Sequence, residues 1–213
     1  MKKIFLLSLL IFLSGNFLGC AVMDKAKRAD RLQAELTDCQ NQLENLKEQK
    51  DSELERAKKD LSRSLQKELG EYKAKLEMTE RGLVVTFLAE IFFSSGKDII
   101  LPDGKPILEK VAKVLNSDVP DSKVAVEGHT DSDPIKYSGW RSNWELSSAR
   151  ALAVLHYFID EGKVGPGRLS VAGFGEYSPI VDDNSVENKR KNRRVEIVIL
   201  PAALNKVKAE IKI

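Results

Sequence analysis

Cysteine and histidine are scarce here, two of each in 213 residues, and neither His129 nor His156 falls into a Cys/His or paired-histidine spacing that would hold zinc. No Gly-x-Ser-x-Gly elbow is present either, so nucleophilic and metal-dependent catalysis rank low, and neither a metal nor a cofactor is expected. Charge of one sign is also missing. Lys+Arg number 34 against 32 Asp+Glu, and loss of Lys2 and Lys3 with a leader would make them equal, which argues against nucleic acid as a partner. The basic cluster Lys189-Arg190-Lys191 with Arg193-Arg194 stands just before a strand-like run. Proline is absent from residues 24–80, so nothing there breaks a helix.

The apolar run at residues 4–13 follows Lys2 and Lys3 and is too short for a comfortable membrane span, the pattern of an export leader. Phe17-Leu18-Gly19-Cys20 resembles a bacterial lipoprotein cleavage box, with Phe17 and Leu18 departing from its usual leucine and small residue. That resemblance implies a signal peptide at residues 1–19, lipid on Cys20, and sorting to the outer membrane, because Ala21 rather than aspartate follows. The alternative is an uncut anchor over residues 4–22. Cys39 would then have no disulfide partner and fill an apolar heptad position as a small hydrophobe.

Leu32, Leu36, Cys39, Leu43 and Leu46 alternate spacings of four and three, and the series resumes after Lys50 with Leu54, Ala57, Leu61, Leu65, Leu69, Tyr72 and Leu76. The spacing predicts a helix within a spacer over residues 20–80, either a coiled-coil homo-oligomer or a single amphipathic rod. A continuous helix of that kind reaches roughly 85 Å at 1.5 Å per residue.

Beyond it, strand patterns at Gly82–Leu88, 123–127, 169–172 and 195–200 alternate with helical ones. Pro102-Asp103-Gly104 opens a helix with Ile107, Leu108, Val111, Val114 and Leu115 on one face, and Ser142 or Asn143 caps a second. The β-α-β-α-β order with a further strand predicts an α+β fold, a two-layer α/β sandwich, over residues 82–200, followed by a tail at 201–213.

In the second helix, Leu146, Ala149, Arg150, Ala153, Val154, Tyr157 and Phe158 share one apolar stripe. An arginine there is expensive unless an anion meets it. Two explanations stand: a bound ligand, or an ion pair with Glu127 or Asp131 that fixes a loop.

The blocks Gly128-His129-Thr130-Asp131, Ser142-Asn143-Trp144-Glu145-Leu146-Ser147 with Arg150-Ala151, Arg168-Leu169-Ser170 with Gly173-Phe174-Gly175-Glu176, and Asn192-Arg193-Arg194-Val195-Glu196-Ile197 resemble the OmpA-like peptidoglycan-binding domain, in that family's order. The long loop before Ser142 is similar to the MotB-type version. The resemblance implies a non-catalytic domain gripping diaminopimelate, whose side chain ends in an ammonium and a carboxylate on one carbon. Asp131 would take the ammonium and Arg150 the carboxylate through a bidentate fork. By the same correspondence Asn143 and Leu146 line the site, Phe93 and Ser94 form the rim, Arg194 supports it with Arg193 as second candidate, and a short helix lies near Val186–Asn192; Phe93 suits the core equally, and backbone amides around Thr130–Ser132 would finish the carboxylate shell. His129 and Thr130 are expected to hydrogen-bond the turn that aims Asp131. Three functions follow in order: an outer-membrane lipoprotein facing the periplasm and tethered to peptidoglycan, a MotB-like wall anchor of an ion-driven motor, and a wall hydrolase using Asp131 with Glu127. The motor reading calls for a membrane span with an acidic residue, and residues 4–22 contain none.

Overall fold

The computed structural model describes residues 2–136 and 138–201, with the backbone alone for residues 2–22, 24 and 49–51. The side chain of Cys20 and the tail beyond residue 201 therefore lie outside the described residues. No helix among the described residues is long and apolar enough to cross a membrane.

The chain divides into two compact units, Met1–Glu48 and Gln49–Ile213. The first is helical throughout its described residues and belongs to α1 (Lys2–Ser64). Leu32, Leu36 and Leu43 of the heptad series are 65%, 59% and 49% exposed, and Cys39 is a free, exposed thiol. A seam of this kind stays wet within one chain.

In the second unit the same helix behaves differently. Leu54, Ala57, Leu61 and Leu65 are at most 3% exposed and belong to the main hydrophobic core. The four-residue steps from Ala57 onward, irregular for a coiled coil, suit the 3.6-residue stripe of a helix docked on a globular core. After Leu65 a short α2 (Gln66–Gly70) follows, and the helix then stops. Tyr72 takes a left-handed φ of 55° and the Lys73 amide donates to Glu68 O at 2.9 Å, which satisfies a carbonyl at the helix end.

The expected continuation of the spacer to residue 80 is therefore corrected. Ala74–Thr79 forms strand β1, antiparallel to β2 (Gly82–Leu88). Alanine, lysine, leucine, glutamate and methionine there favour helix locally, but pairing with a neighbouring strand outweighs a propensity of a few tenths of a kcal/mol per residue.

The remaining elements are α3 (Lys105–Ser117), β3 (Val124–His129), α4 (Asn143–Asp160), β4 (Leu169–Gly173), α5 (Val186–Asn192) and β5 (Arg194–Ile199). The sheet is mixed, in the order β1-β2-β5-β3-β4, with only β3 and β4 parallel. Register sorts its two faces. Leu83, Val85 and Phe87 stand opposite Ile199, Ile197 and Val195, and Val124 and Val126 stand opposite Ile199 and Ile197, so one face is a continuous apolar layer. One step out of phase, the other face carries Glu127 opposite Glu196 and His129 opposite Arg194. The α+β sandwich expected from the pattern is thus present, with β1 added at the edge.

Candidate ligand-binding cleft

Helix α4 lies very close to the sheet because two strand glycines let it. A Cβ at Gly128 would sit 2.0 Å from Ser147 O, and one at Gly173 would sit 2.1 Å from Ser148 Oγ. Ser147 is fully buried at this contact, its hydroxyl donating to Trp144 O at 3.1 Å and accepting from the Gly175 amide at 3.0 Å. Ser142 caps the helix, accepting from the Glu145 amide at 3.4 Å, and Glu145 accepts in turn from the Arg141 amide at 2.7 Å. The buried stripe runs Asn143, Leu146, Ser147, Arg150, Ala151, Val154 and Phe158, while Leu152 on the outer flank is 40% exposed. One turn past the glycine contact, Arg150 is carried to the floor of a cleft of about 750 Å³.

Arg150 is 4% exposed and makes no ion pair among the described residues. Its Nε donates to Lys97 O at 2.9 Å and its Nη2 to Ser94 O at 3.1 Å, and the guanidinium stands 5.3 Å over the Phe93 ring. Burial, with Arg193 adding repulsion, pushes its pKa down to about 10, so it remains a cation at neutral pH. Two of the five N–H donors of a guanidinium are engaged with carbonyls, which leaves the rest for an anion in the cleft. The alternative of an ion pair with Glu127 or Asp131 is not made: Glu127 pairs with Arg81, and Asp131 with Arg193.

Asp131, 6% exposed, also accepts from the Asp133 amide at 3.3 Å. Asn143 braces the same loop, its amide nitrogen donating toward Glu176 Oε2 at 2.7 Å and toward the Asp133 and Asp131 carbonyls at 3.1 and 3.3 Å. Thr130, Leu146 and Phe93 line the cleft with them, and Ser94 contributes the carbonyl that holds Arg150. Arg194 is not among the lining residues. It is 3% exposed and donates to Glu196 at 2.6 Å, Asn192 O at 3.2 Å and Ser178 O at 3.0 Å, whereas Arg193 lines the cleft. Strand alternation accounts for this, since adjacent residues at the start of β5 point to opposite sides.

The basic cluster around α5, expected from the Asn-Arg-Arg block to hold some solvated arginines and others turned to the site, is engaged with acids. Lys189 pairs with Asp133 at 2.6 Å, Arg190 with Glu90 at 2.6 Å, and Arg193 with Asp131. All three acids line the cleft, and each is thereby neutralised. Arg190 holds the Glu90 carboxyl below its ordinary value, and the Asp133 contact raises Lys189. Arg150 remains the buried charge without an ion pair among the described residues, with Asp131 and Asp98 acting on it from further off and Lys97 and Lys136 at the wall. Such a cleft favours an anionic group first and tolerates a cation only at Asp131.

The expectation that His129 and Thr130 hydrogen-bond the turn is corrected. Both ring nitrogens of His129 and the Thr130 hydroxyl have no hydrogen-bond partner, and it is the Thr130 backbone amide that donates, to Gly175 O at 2.9 Å. Arg193, Asn143 and the Asp133 amide hold the Asp131 loop instead. His129 is stacked on Phe174 with ring centroids 4.9 Å apart, and burial followed by the nearby Arg194 and Arg81 lowers its pKa to about 3. Donor atoms of Glu127, His129 and Glu196 gather within 4.8 Å of one another, but guanidinium groups of Arg81 and Arg194 already occupy the two carboxylates. A cation would have to displace them. Glu127 also lies outside the cleft lining, so the Asp131–Glu127 acid/base pairing that a hydrolase would use is not assembled there.

Residues 92–193 match the OmpA family. The chain is 36% identical over 149 residues to motility protein B of Bacillus subtilis, covering 70% of this chain and 57% of that protein. It is 30% identical over 123 residues to the outer-membrane lipoprotein YfiB of Pseudomonas aeruginosa, covering 58% of this chain and 70% of that one. Among solved structures, the cell wall anchor of the T6SS from Pseudomonas aeruginosa superposes with a TM-score of 0.59 at 30% identity, covering 66% of this chain and 96% of that chain. The chain spans about half the length of the motility proteins it matches. The family match, with a relative at 30% identity covered over 70% of its length, shows that the chain belongs to the OmpA family.

Proposed function

We propose that this protein is a non-catalytic cell-wall anchor, lipidated at Cys20 in the outer membrane, facing the periplasm, and gripping peptidoglycan through diaminopimelate. One observation carries the binding reading: Arg150 is a buried guanidinium, held by two carbonyls and a ring face, with no carboxylate partner and a cleft in front of it. The ligand carboxylate completes its fork, and the ligand ammonium joins Arg193 at Asp131 or displaces it, since the Arg193 side chain is 36% exposed and free to swing outward. Relatives named as a cell wall anchor, as outer-membrane lipoprotein and as motility protein support anchoring over catalysis.

The single test is retention on purified peptidoglycan. Asp131→Asn or Arg150→Ala should each cost about 2 to 5 kcal/mol, on the order of 30-fold to several thousand-fold in affinity, because each leaves an opposite charge unpaired. A stem peptide containing diaminopimelate should compete, and the same peptide with lysine in its place, whose side chain ends in an ammonium without a carboxylate, should compete poorly. Equal competition by the lysine peptide would remove the carboxylate from Arg150. Soluble fragments released from the wall would bring back the hydrolase.

A second reading, the wall anchor of an ion-driven motor, is favoured by the similarity to motility protein B and by the long loop before Ser142. Mass spectrometry of the mature N-terminus separates the two, since acylated Cys20 belongs to the lipoprotein alone.

A further inference from the structure

The diaminopimelate cleft does not account for the aromatic surface beside it. Trp144 and Tyr177 are stacked, with ring centroids 5.2 Å apart and planes 19° from parallel, yet they are 47% and 65% exposed. Two large rings pressed against each other and left open to water are an unusual use of apolar surface. The pair is also held in place. The Gly175 backbone abuts the Trp144 amide, Tyr177 N donates to Phe174 O at 3.2 Å, and Glu176, between them, is bonded to Asn143 in the cleft wall.

A shallow groove of about 690 Å³ runs along the Trp144 side, lined by Gly139, Trp140, Arg141, Trp144, Glu145 and Ser148. The Trp140 indole is fixed by donation from Nε1 to Gly96 O at 3.0 Å, and Gly96 is a lining residue of the cleft. Cleft and groove share the loop between them: Ser138 belongs to one and Gly139 to the other, as do Asn143 and Trp144. A ligand leaving the cleft over this rim meets the aromatic groove.

We propose that the Trp144–Tyr177 stack and this groove form a saccharide subsite that takes the amino-sugar chain of the same wall polymer whose stem peptide enters the cleft. The proposal rests on the peptidoglycan reading for its ligand, though its chemistry is independent of it. A pyranose ring has an apolar face of C–H groups and a polar periphery, which asks for a flat aromatic floor and hydrogen-bonding groups at the edge. Trp144 supplies the floor, with Tyr177 stacked against it as a backing outside the groove lining. The Arg141–Glu145 ion pair, its arginine side chain 90% exposed, supplies donors and acceptors at the edge. An apolar peptide or a membrane would have little use for a rim carrying both signs of charge, whereas hydroxyls and acetamides use both. The stem peptide is covalently joined to the sugar chain, so the two subsites engage one molecule and the second contact adds to the first.

The experiment compares three probes on the full chain by calorimetry: a disaccharide–stem peptide containing diaminopimelate, the same stem peptide without sugar, and a peptide-free N-acetylglucosamine tetramer. The disaccharide–peptide should bind ~10-fold more tightly than the free peptide, the size of effect that ring contacts of this kind give. Trp144→Ala should erase that advantage, and Tyr177→Ala, which removes the ring that backs Trp144, should reduce it, both leaving free-peptide binding as in the native protein. Both tryptophans of the chain line this groove, so the tetramer should also shift the intrinsic fluorescence. Equal binding of the two peptide probes by the native protein would overturn the subsite, and so would a Trp144→Ala variant that loses both probes alike. If the free peptide fails to bind while the tetramer binds in a Trp144-dependent way, the subsite stands and the diaminopimelate reading falls. If no probe binds, both fall.

Discussion

Lowering the pH should weaken the native state through His129 before any carboxylate of the unfolded chain titrates. The imidazole is 4% exposed, stacked on Phe174, without a hydrogen bond, and faced by Arg194 and Arg81, so its pKa falls from 6.5 to about 3. Between those values the unfolded chain holds a proton on this group that the native chain does not. Stability therefore drops as pH falls from 6.5 towards 3, by about 1.4 kcal/mol per pH unit, or roughly 2 kcal/mol between pH 6.5 and 5. Glu127 acts in the opposite sense, because burial raises its pKa and the native state takes up its proton early. A comparison of variants removes that offset. His129→Phe keeps the ring stack, loses no hydrogen bond and cannot titrate, so urea midpoints for native and variant proteins at pH 6.5 and 5 isolate the histidine. The native protein should lose about 2 kcal/mol more than the variant over that interval. Parallel losses in the two would mean that His129 is protonated in the folded state, and the account of its burial would be wrong.

Leu61→Ala, at a fully buried position of α1, should cost about 2 to 5 kcal/mol in urea unfolding, whereas Leu36→Ala, at 59% exposure, should change a monomeric chain by less than about 0.5 kcal/mol. A Leu36→Ala loss that grows with protein concentration would instead show the N-terminal seam paired with a second chain. Gly128→Ala would place a methyl 2.0 Å from Ser147 O and should cost about 1 to 3 kcal/mol or more while weakening wall retention, because α4 carries Arg150. Full retention by that variant would detach the cleft from the glycine contact.

Most strands and the capped α4 were legible in the sequence because each depends on local periodicity, and Asp131 and Arg150, which the fold brings to one cleft, stand in contiguous blocks. What escaped depends on long-range contact. The residues of β1 are locally helical, and only their register with β2 makes them a strand. The stripe Leu54, Ala57, Leu61, Leu65 reads as a flawed heptad until the core it docks on is known. Its departure from 3.5-residue spacing was the available clue. Arg193 and Arg194 could be told apart only by the phase of β5, which turns one to the cleft and the other to the His129 side of the sheet.

On the proposed reading, the basic cluster at residues 189–194 would set up selectivity for a zwitterion, although as a charged segment it resembles a nucleic-acid patch. Neutralising Glu90, Asp131 and Asp133 from α5 and the start of β5 removes the general negative potential that would draw in any amine. Arg150 is then the charge a ligand would have to answer, and it is rigidly built, by two carbonyls and a ring face. An amine alone has to compete with Arg193 for Asp131 and gains nothing at Arg150. A ligand carrying both groups on one carbon would gain at both positions, so discrimination against a peptide-bound lysine, whose side chain ends in an ammonium alone, would follow from which cleft charges are already paired.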